Sequence, residues 1–195
     1  MTSSPETRTM KHPDVREKRC AMLALPHVAP LAVYASSLRV HGDVPDFDPL
    51  DGGINAEILF LFEKPGPMAS GSGFISRDND DPTAAATMDF MARAGLARER
   101  TVTWNVIPWW NGTTKVTPAE LRQGTACVRD LLTLLPASRA VVLVGRKAMG
   151  AHHLLPEGVK VFTSNHPSPK VRAIYPGKWD TIPVEWARAR AFLDA

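Results

Sequence analysis

Glu63, Asn105, His166 and Phe74 are the residues of this chain whose types and placement could act together on a ligand. Glu63 and Lys64 follow the apolar run 58–62 and are turned sharply by Pro65-Gly66-Pro67. Asn105 lies in the run 101–107, which ends in Pro108-Trp109-Trp110. Gly145-Arg146-Lys147 follows the run 140–144, and Asn165-His166-Pro167-Ser168-Pro169 follows 159–163. Open α/β sheets bind ligands beyond the carboxyl ends of their strands, so these groups share one rim. A carboxylate, an amide, an imidazole and an aromatic ring there suit a planar polar ligand. The amide pairs with a Watson–Crick edge, the ring stacks and the imidazole donates to a carbonyl. The simpler alternative at each position is structural: Glu63 paired with Lys64, Phe74 anchoring its loop in the core, Asn105 bridging strands, His166 in a turn.

The elements that must hold these residues follow from pattern. Uninterrupted apolar runs of about five residues suit strands buried on both faces of a parallel sheet. Helices are expected at 14–25, 28–40, 82–94 and 118–135, then from Gly145 through His153, and at 183–193. Thr117 is the expected N-cap of the long amphipathic helix. Residues 1–11 read as a frayed polar tail, 42–53 as a loop and 68–81 as a long Gly/Ser/Asp-rich loop carrying Phe74. Strands alternating with helices give repeated βαβ units with right-handed crossovers. The expected fold is a single-domain three-layer α/β/α sandwich around a four-stranded, mainly parallel sheet.

The chain has 195 residues and a net charge of +3, from 23 basic against 20 acidic side chains. That length supports one substantial core, and the charge is a weak pointer to a polyanionic partner. Basic residues outnumber acids between 160 and 190, which suggests a positive face towards the carboxyl end. No window reaches the ~20 apolar residues of a membrane span, and the first residues lack a secretory core, so a cytoplasmic protein is expected. Two cysteines, Cys20 and Cys127, give no disulfide framework, no zinc spacing and no four-cysteine iron–sulfur cluster. His152-His153 has no ligand-spaced partners, so no metal site is expected, and no cofactor.

Three motifs carry a resemblance. FEKPG at 62–66, WNVIP at 104–108 and NHPSP at 165–169 are similar to motifs of the uracil-DNA glycosylase superfamily, in the same order and at the same strand ends. The first resembles the GEAPG motif of the iron–sulfur branches, and the last matches HPSP of several branches. The resemblance spans about 55–180. It implies a monomeric, monofunctional, metal-independent enzyme that flips deoxyuridine out of DNA, single- or double-stranded, and cleaves its N-glycosidic bond. By the same resemblance Phe74 would stack on uracil, Asn105 would read its edge and exclude cytosine, and His166 would donate to O2 of the departing base. Glu63 would activate or position water. Pro65, Gly66, Ser168 and Pro169 would pinch phosphates, and Lys170, Val171 and Arg172 take the place of the loop that enters the duplex.

The chain departs from the pattern twice. It lacks the four cysteines, so loops that a cluster would support must be held by packing. Lys64 stands where the best-known branch has its water-activating aspartate. As an ammonium it would attract a phosphate or the uracil anion, or orient Glu63, leaving water activation to Glu63 or to an acid within 78–81. The alternative function is a non-catalytic binder of damaged or single-stranded DNA that keeps the pocket. A different nucleotide-binding α/β module is the third, without GxGxxG or GxxxxGK[ST] to support it.

Overall fold

In the computed structural model, which describes residues 7–195, the four apolar runs become the strands of one sheet. The helices are α1 (Pro13–Ala21), α2 (Ala29–Leu38), α3 (Pro67–Ser72), α4 (Pro82–Arg93), α5 (Pro118–Thr133), α6 (Arg146–Met149), α7 (Pro169–Ile174) and α8 (Pro176–Leu193). The strands are β1 (Asp46–Phe47), β2 (Ile58–Phe62), β3 (Phe74–Ile75), β4 (Thr101–Asn105), β5 (Ala140–Val144) and β6 (Lys160–Ser164). The main sheet has the order β4-β2-β5-β6 and every neighbouring pair is parallel. β2 and β5, the purely apolar runs, take the two central places where both faces are covered.

Strand alternation assigns the two faces. Leu59 and Leu61 of β2, with Val141 and Leu143 of β5, pack with Leu31 and Ala35 of α2 and with Val128 and Leu131 of α5. Ile58 and Phe60, with Val142 and Val144, pack on the opposite side with Phe90 and Met91 of α4 and with Ile182 and Trp186 of α8. The fold is therefore a three-layer α/β/α sandwich. In β4, Val102 and Trp104 belong to the α2/α5 face. Thr103 and Asn105 consequently point to the α4 side, at the carboxyl end of an edge strand.

The long helix starts as its sequence demands. Thr117 and Glu120 form a reciprocal capping box on α5. Gly124 lets this helix ride close under β4, because a Cβ there would lie 2.3 Å from the Val106 carbonyl oxygen.

Several expectations change. Of the tail at 1–11, residues 1–6 lie outside the described residues. Thr9–Lys11 is instead an ordered 3-10 turn, with Met10 buried and its N–H donating to the Asp78 carbonyl at 3.0 Å. The loops at 42–53 and 68–81 contain β1, α3 and β3, and β1 and β3 pair as a second, two-stranded parallel sheet. Residues 170–172 lie in α7 rather than in a loop. The last helix begins at Pro176 and contains Pro183, which occupies a buried interior position although it cannot donate a helical hydrogen bond. No single helix among the described residues is long and apolar enough to cross a membrane.

Candidate active site

Four strand ends open on one cavity of about 700 Å³, whose other walls are the segment after β3 and the first turns of α4. Phe62, Glu63 and Pro65 reach it from β2, Asn105 from β4, Lys147 from the end of β5 and His166 from the end of β6.

Glu63 is seated by backbone bonds that continue the sheet. Val106 N–H donates to the Phe62 carbonyl at 2.8 Å and Ile107 N–H to the Glu63 carbonyl at 2.9 Å. The Glu63 carboxylate accepts from Lys147 Nζ at 2.5 Å through Oε1, and Lys147 also donates to the Thr114 carbonyl at 3.3 Å. Oε2 has no hydrogen-bond partner among the described residues. The expected Glu63–Lys64 pair does not form.

Lys64 belongs to the cavity lining, but its side chain is only 2% exposed. Its ammonium donates to Asn111 Oδ1 at 2.7 Å, Glu120 Oε1 at 2.8 Å and the Lys115 carbonyl at 3.3 Å. Three acceptors use its three N–H groups, which leaves none for a phosphate or a base anion. The expected DNA contact of Lys64 is therefore replaced by a structural one, holding the segment 111–117. That hydrogen bond, with the Thr117 N–H second, brings the Glu120 carboxyl down to about 2.

Asn105 is buried, yet its side-chain amide makes no hydrogen bond among the described residues, so both its donor and its acceptor are uncommitted. His166 sits edge-on to the Phe62 ring, with centroids 5.6 Å apart and planes at 89°. Its Nδ1 is buried without a partner, and burial pushes its pKa down to about 4, so the imidazole is neutral at pH 7. The close seat of this ring depends on Gly145, at φ 90°, where a Cβ would come within 3.1 Å of His166 Cβ and Cδ2. Glu185 of α8 fixes the base of the same turn. It accepts from the Asn165 N–H and Nδ2 at 2.9 Å each and from the Ser164 hydroxyl at 2.8 Å.

The wall after β3 is held by a buried network of three arginines and three aspartates. Arg98 bonds Asp48 at 2.5 Å, Asp51 at 3.0 Å and Asp78 at 3.0 Å. Arg19 of α1 bonds Asp48 and, at 2.7 Å, Asp78, while Arg77 reaches Asp51 at 3.2 Å. Burial alone would raise the Asp48 carboxyl, but Arg98 and Arg19 hold it below the usual range. Asp51 is pushed up by burial, against Arg77 and Arg98, with Asp48 and Asp78 adding repulsion. The wall after β3 is thus tied by charge.

No protein-family model matches the chain, and no curated protein matches it.

Among the expected site residues, Glu63, Asn105 and His166 converge on the cavity with Lys64, Pro65, Gly66, Ser168 and Lys170. A Cβ on Gly66 would meet nothing within 4 Å, so a ligand can approach its backbone closely. Ser168 caps α7, its hydroxyl accepting from the Val171 N–H at 3.4 Å. Pro169 opens that helix, and exposed Arg172 lies outside the cavity wall with its guanidinium 5.6 Å from the Trp179 ring. Phe74 does not reach the cavity. It is 1% exposed, because neighbouring strand residues face opposite ways and Ile75 takes the cavity side. The ring on the cavity is Phe62. Within 78–81, Asp78 is taken up by Arg19 and Arg98, Asp80 pairs with Arg8 at 3.6 Å, and Asp81 caps α4 through the Thr83 and Ala84 N–H groups. Trp109 is buried in the core. Lys147 was expected on the rim but without a role, and Glu185 was not expected at the site. Lys147 carried a signal, being a basic residue just past the end of a central strand, whereas Glu185 had none beyond its place in a helix.

Proposed function

We propose that the protein is a uracil-DNA glycosylase that removes uracil from DNA by hydrolysis and leaves an abasic site. The observation that carries this reading is the convergence of Glu63, Asn105 and His166, from three different strands, on one cavity. The uncommitted Asn105 amide offers a donor to uracil O4 and an acceptor to N3–H, a pattern that cytosine cannot match. A neutral His166 donates one N–H to O2 as the C1′–N1 bond breaks and its electron pair leaves with the base. Water adds to C1′ and passes its proton to Glu63, whose Oε2 is unbonded, and the departing anion is protonated by solvent. Phe62 supplies the aromatic surface beside the base. Lys170, Gly66, Ser168 and Pro169 lie along the path of the phosphates, with Arg172 beyond them. The reaction needs no cofactor from this chain, and we place the enzyme in the cytoplasm as a monomer.

A binder without turnover is the second reading, and it is favoured by Lys64, which puts a structurally engaged ammonium at the motif position where the best-known branch has its water-activating aspartate. One experiment separates the two. End-labelled DNA carrying one uracil, single-stranded or opposite G or A, is incubated with protein from a host lacking its own uracil glycosylase. Alkali-labile breaks at the uracil, lost in His166→Ala, support the enzyme, whereas tight salt-sensitive binding without breaks supports the binder.

A further inference from the structure

We infer that Lys147 binds a backbone phosphate beside the flipped nucleotide and, through the same ammonium, keeps Glu63 set for the attacking water. The inference rests on the glycosylase reading. Three lysines line this cavity, and two of them, Lys64 and Lys147, are in opposite states. Lys64 is sealed, with three acceptors for three protons. Lys147 is half exposed, lines the cavity and uses two protons, one on Glu63 Oε1 and one in a long bond to the Thr114 carbonyl. One N–H has no partner among the described residues, and the Thr114 bond is the weaker of the two.

The chemistry of the proposed substrate requires a cation here. A carboxylate that reaches C1′ of a deoxynucleotide must approach the phosphates flanking that sugar, and two anions in a partly dry site repel. An ammonium between them removes the repulsion and fixes the carboxylate through a charge-assisted bond. Lys147 is the cation bonded to Glu63, whereas Lys170, exposed and also in the cavity lining, has no bond to Glu63. On DNA binding a phosphate oxygen takes the free N–H and displaces Thr114, while the 2.5 Å bond to Glu63 remains.

The test compares the full chain with Lys147→Met, Lys147→Arg, Glu63→Gln and the Glu63→Gln/Lys147→Met double variant. DNA affinity is read across a salt series, and uracil release in single turnover. Removing one phosphate contact should lower the slope of log affinity against log salt by about 0.7–0.9. Lys147→Met is expected to show that drop and an excision rate lower by about tenfold, with Lys147→Arg restoring most of both. In the Glu63→Gln background the slope should still fall while the residual rate does not change further. An unchanged slope in a Lys147→Met protein that melts like the parent overturns the phosphate contact. A rate loss that persists undiminished in the Glu63→Gln background overturns the link to Glu63. A parent protein that binds with the Lys147-dependent slope but releases no uracil overturns the glycosylase reading and leaves the phosphate contact standing.

Discussion

At the scale of single residues, the site's chemistry divides between a carboxylate held by an ammonium and an imidazole held neutral by burial. Glu63→Gln keeps the shape and removes the proposed base, so under the proposed function excision should fall by about 10²- to 10⁴-fold with DNA affinity little changed. Single-turnover kinetics beside a binding titration would separate the two effects. His166 makes a prediction about stability as well. An unfolded histidine takes its proton near 6.5, the native one only near about 4. Between those values the unfolded chain binds the extra proton, so stability falls as pH drops from 6.5 and this contribution levels off below about 4. The loss attributable to His166 is about 3 kcal/mol, and His166→Gln should remove it from denaturant titrations run across that range. Proton NMR of the imidazole would give the native value directly. Glu63, Asn105 and His166 could be read from sequence because each sits beside an apolar run or a proline-flanked motif. Phe74 could not, because a two-residue strand has no pattern from which to tell which of Phe74 and Ile75 faces inward.

At the scale of elements, the segment between β4 and α5 is secured by one buried pair. Glu120 both closes the capping box of α5 and receives Lys64. Lys64→Met should therefore cost about 1–3 kcal/mol in urea unfolding, since it strips a buried ammonium from Asn111, Glu120 and the Lys115 carbonyl together. The pH dependence has a definite sign. The Glu120 carboxyl lies at about 2 against an ordinary 4.5, so its stabilisation is complete above 4.5 and is lost as pH falls towards about 2. Glu120→Gln should flatten that part of the curve. The N-cap at Thr117 was legible from the apolar period behind it, as were the runs that became β2 and β5, whereas the reciprocal part of Glu120 was not. α3 and α7 were not, because each is six residues long and opens on proline in a stretch that reads as a turn.

At the scale of the molecule, the cavity wall depends on charges gathered from across half the chain. Arg19, Asp48, Asp51, Arg77, Asp78 and Arg98 have no common period or local motif, and only the tertiary fold brings them together. That is why the layer order was readable from hydrophobic runs while the support of the site was not. Removing Arg98 leaves three buried carboxylates to only two cations, Arg19 and Arg77. Arg98→Met should cost about 3–5 kcal/mol, visible as a clear fall in melting temperature. Because the wall lines the cavity, DNA affinity should fall with it even at temperatures where the variant stays folded.

The most direct measurement for the molecule as a whole is the release of free uracil from DNA labelled in that base, under single-turnover conditions, by the parent protein and by Glu63→Gln. The expected result is stoichiometric uracil with an intact sugar–phosphate backbone from the parent, and release slowed at least about 100-fold in the variant. Undiminished release by Glu63→Gln, or no release by a parent protein that binds the same DNA, would contradict the assignment of hydrolysis to this cavity.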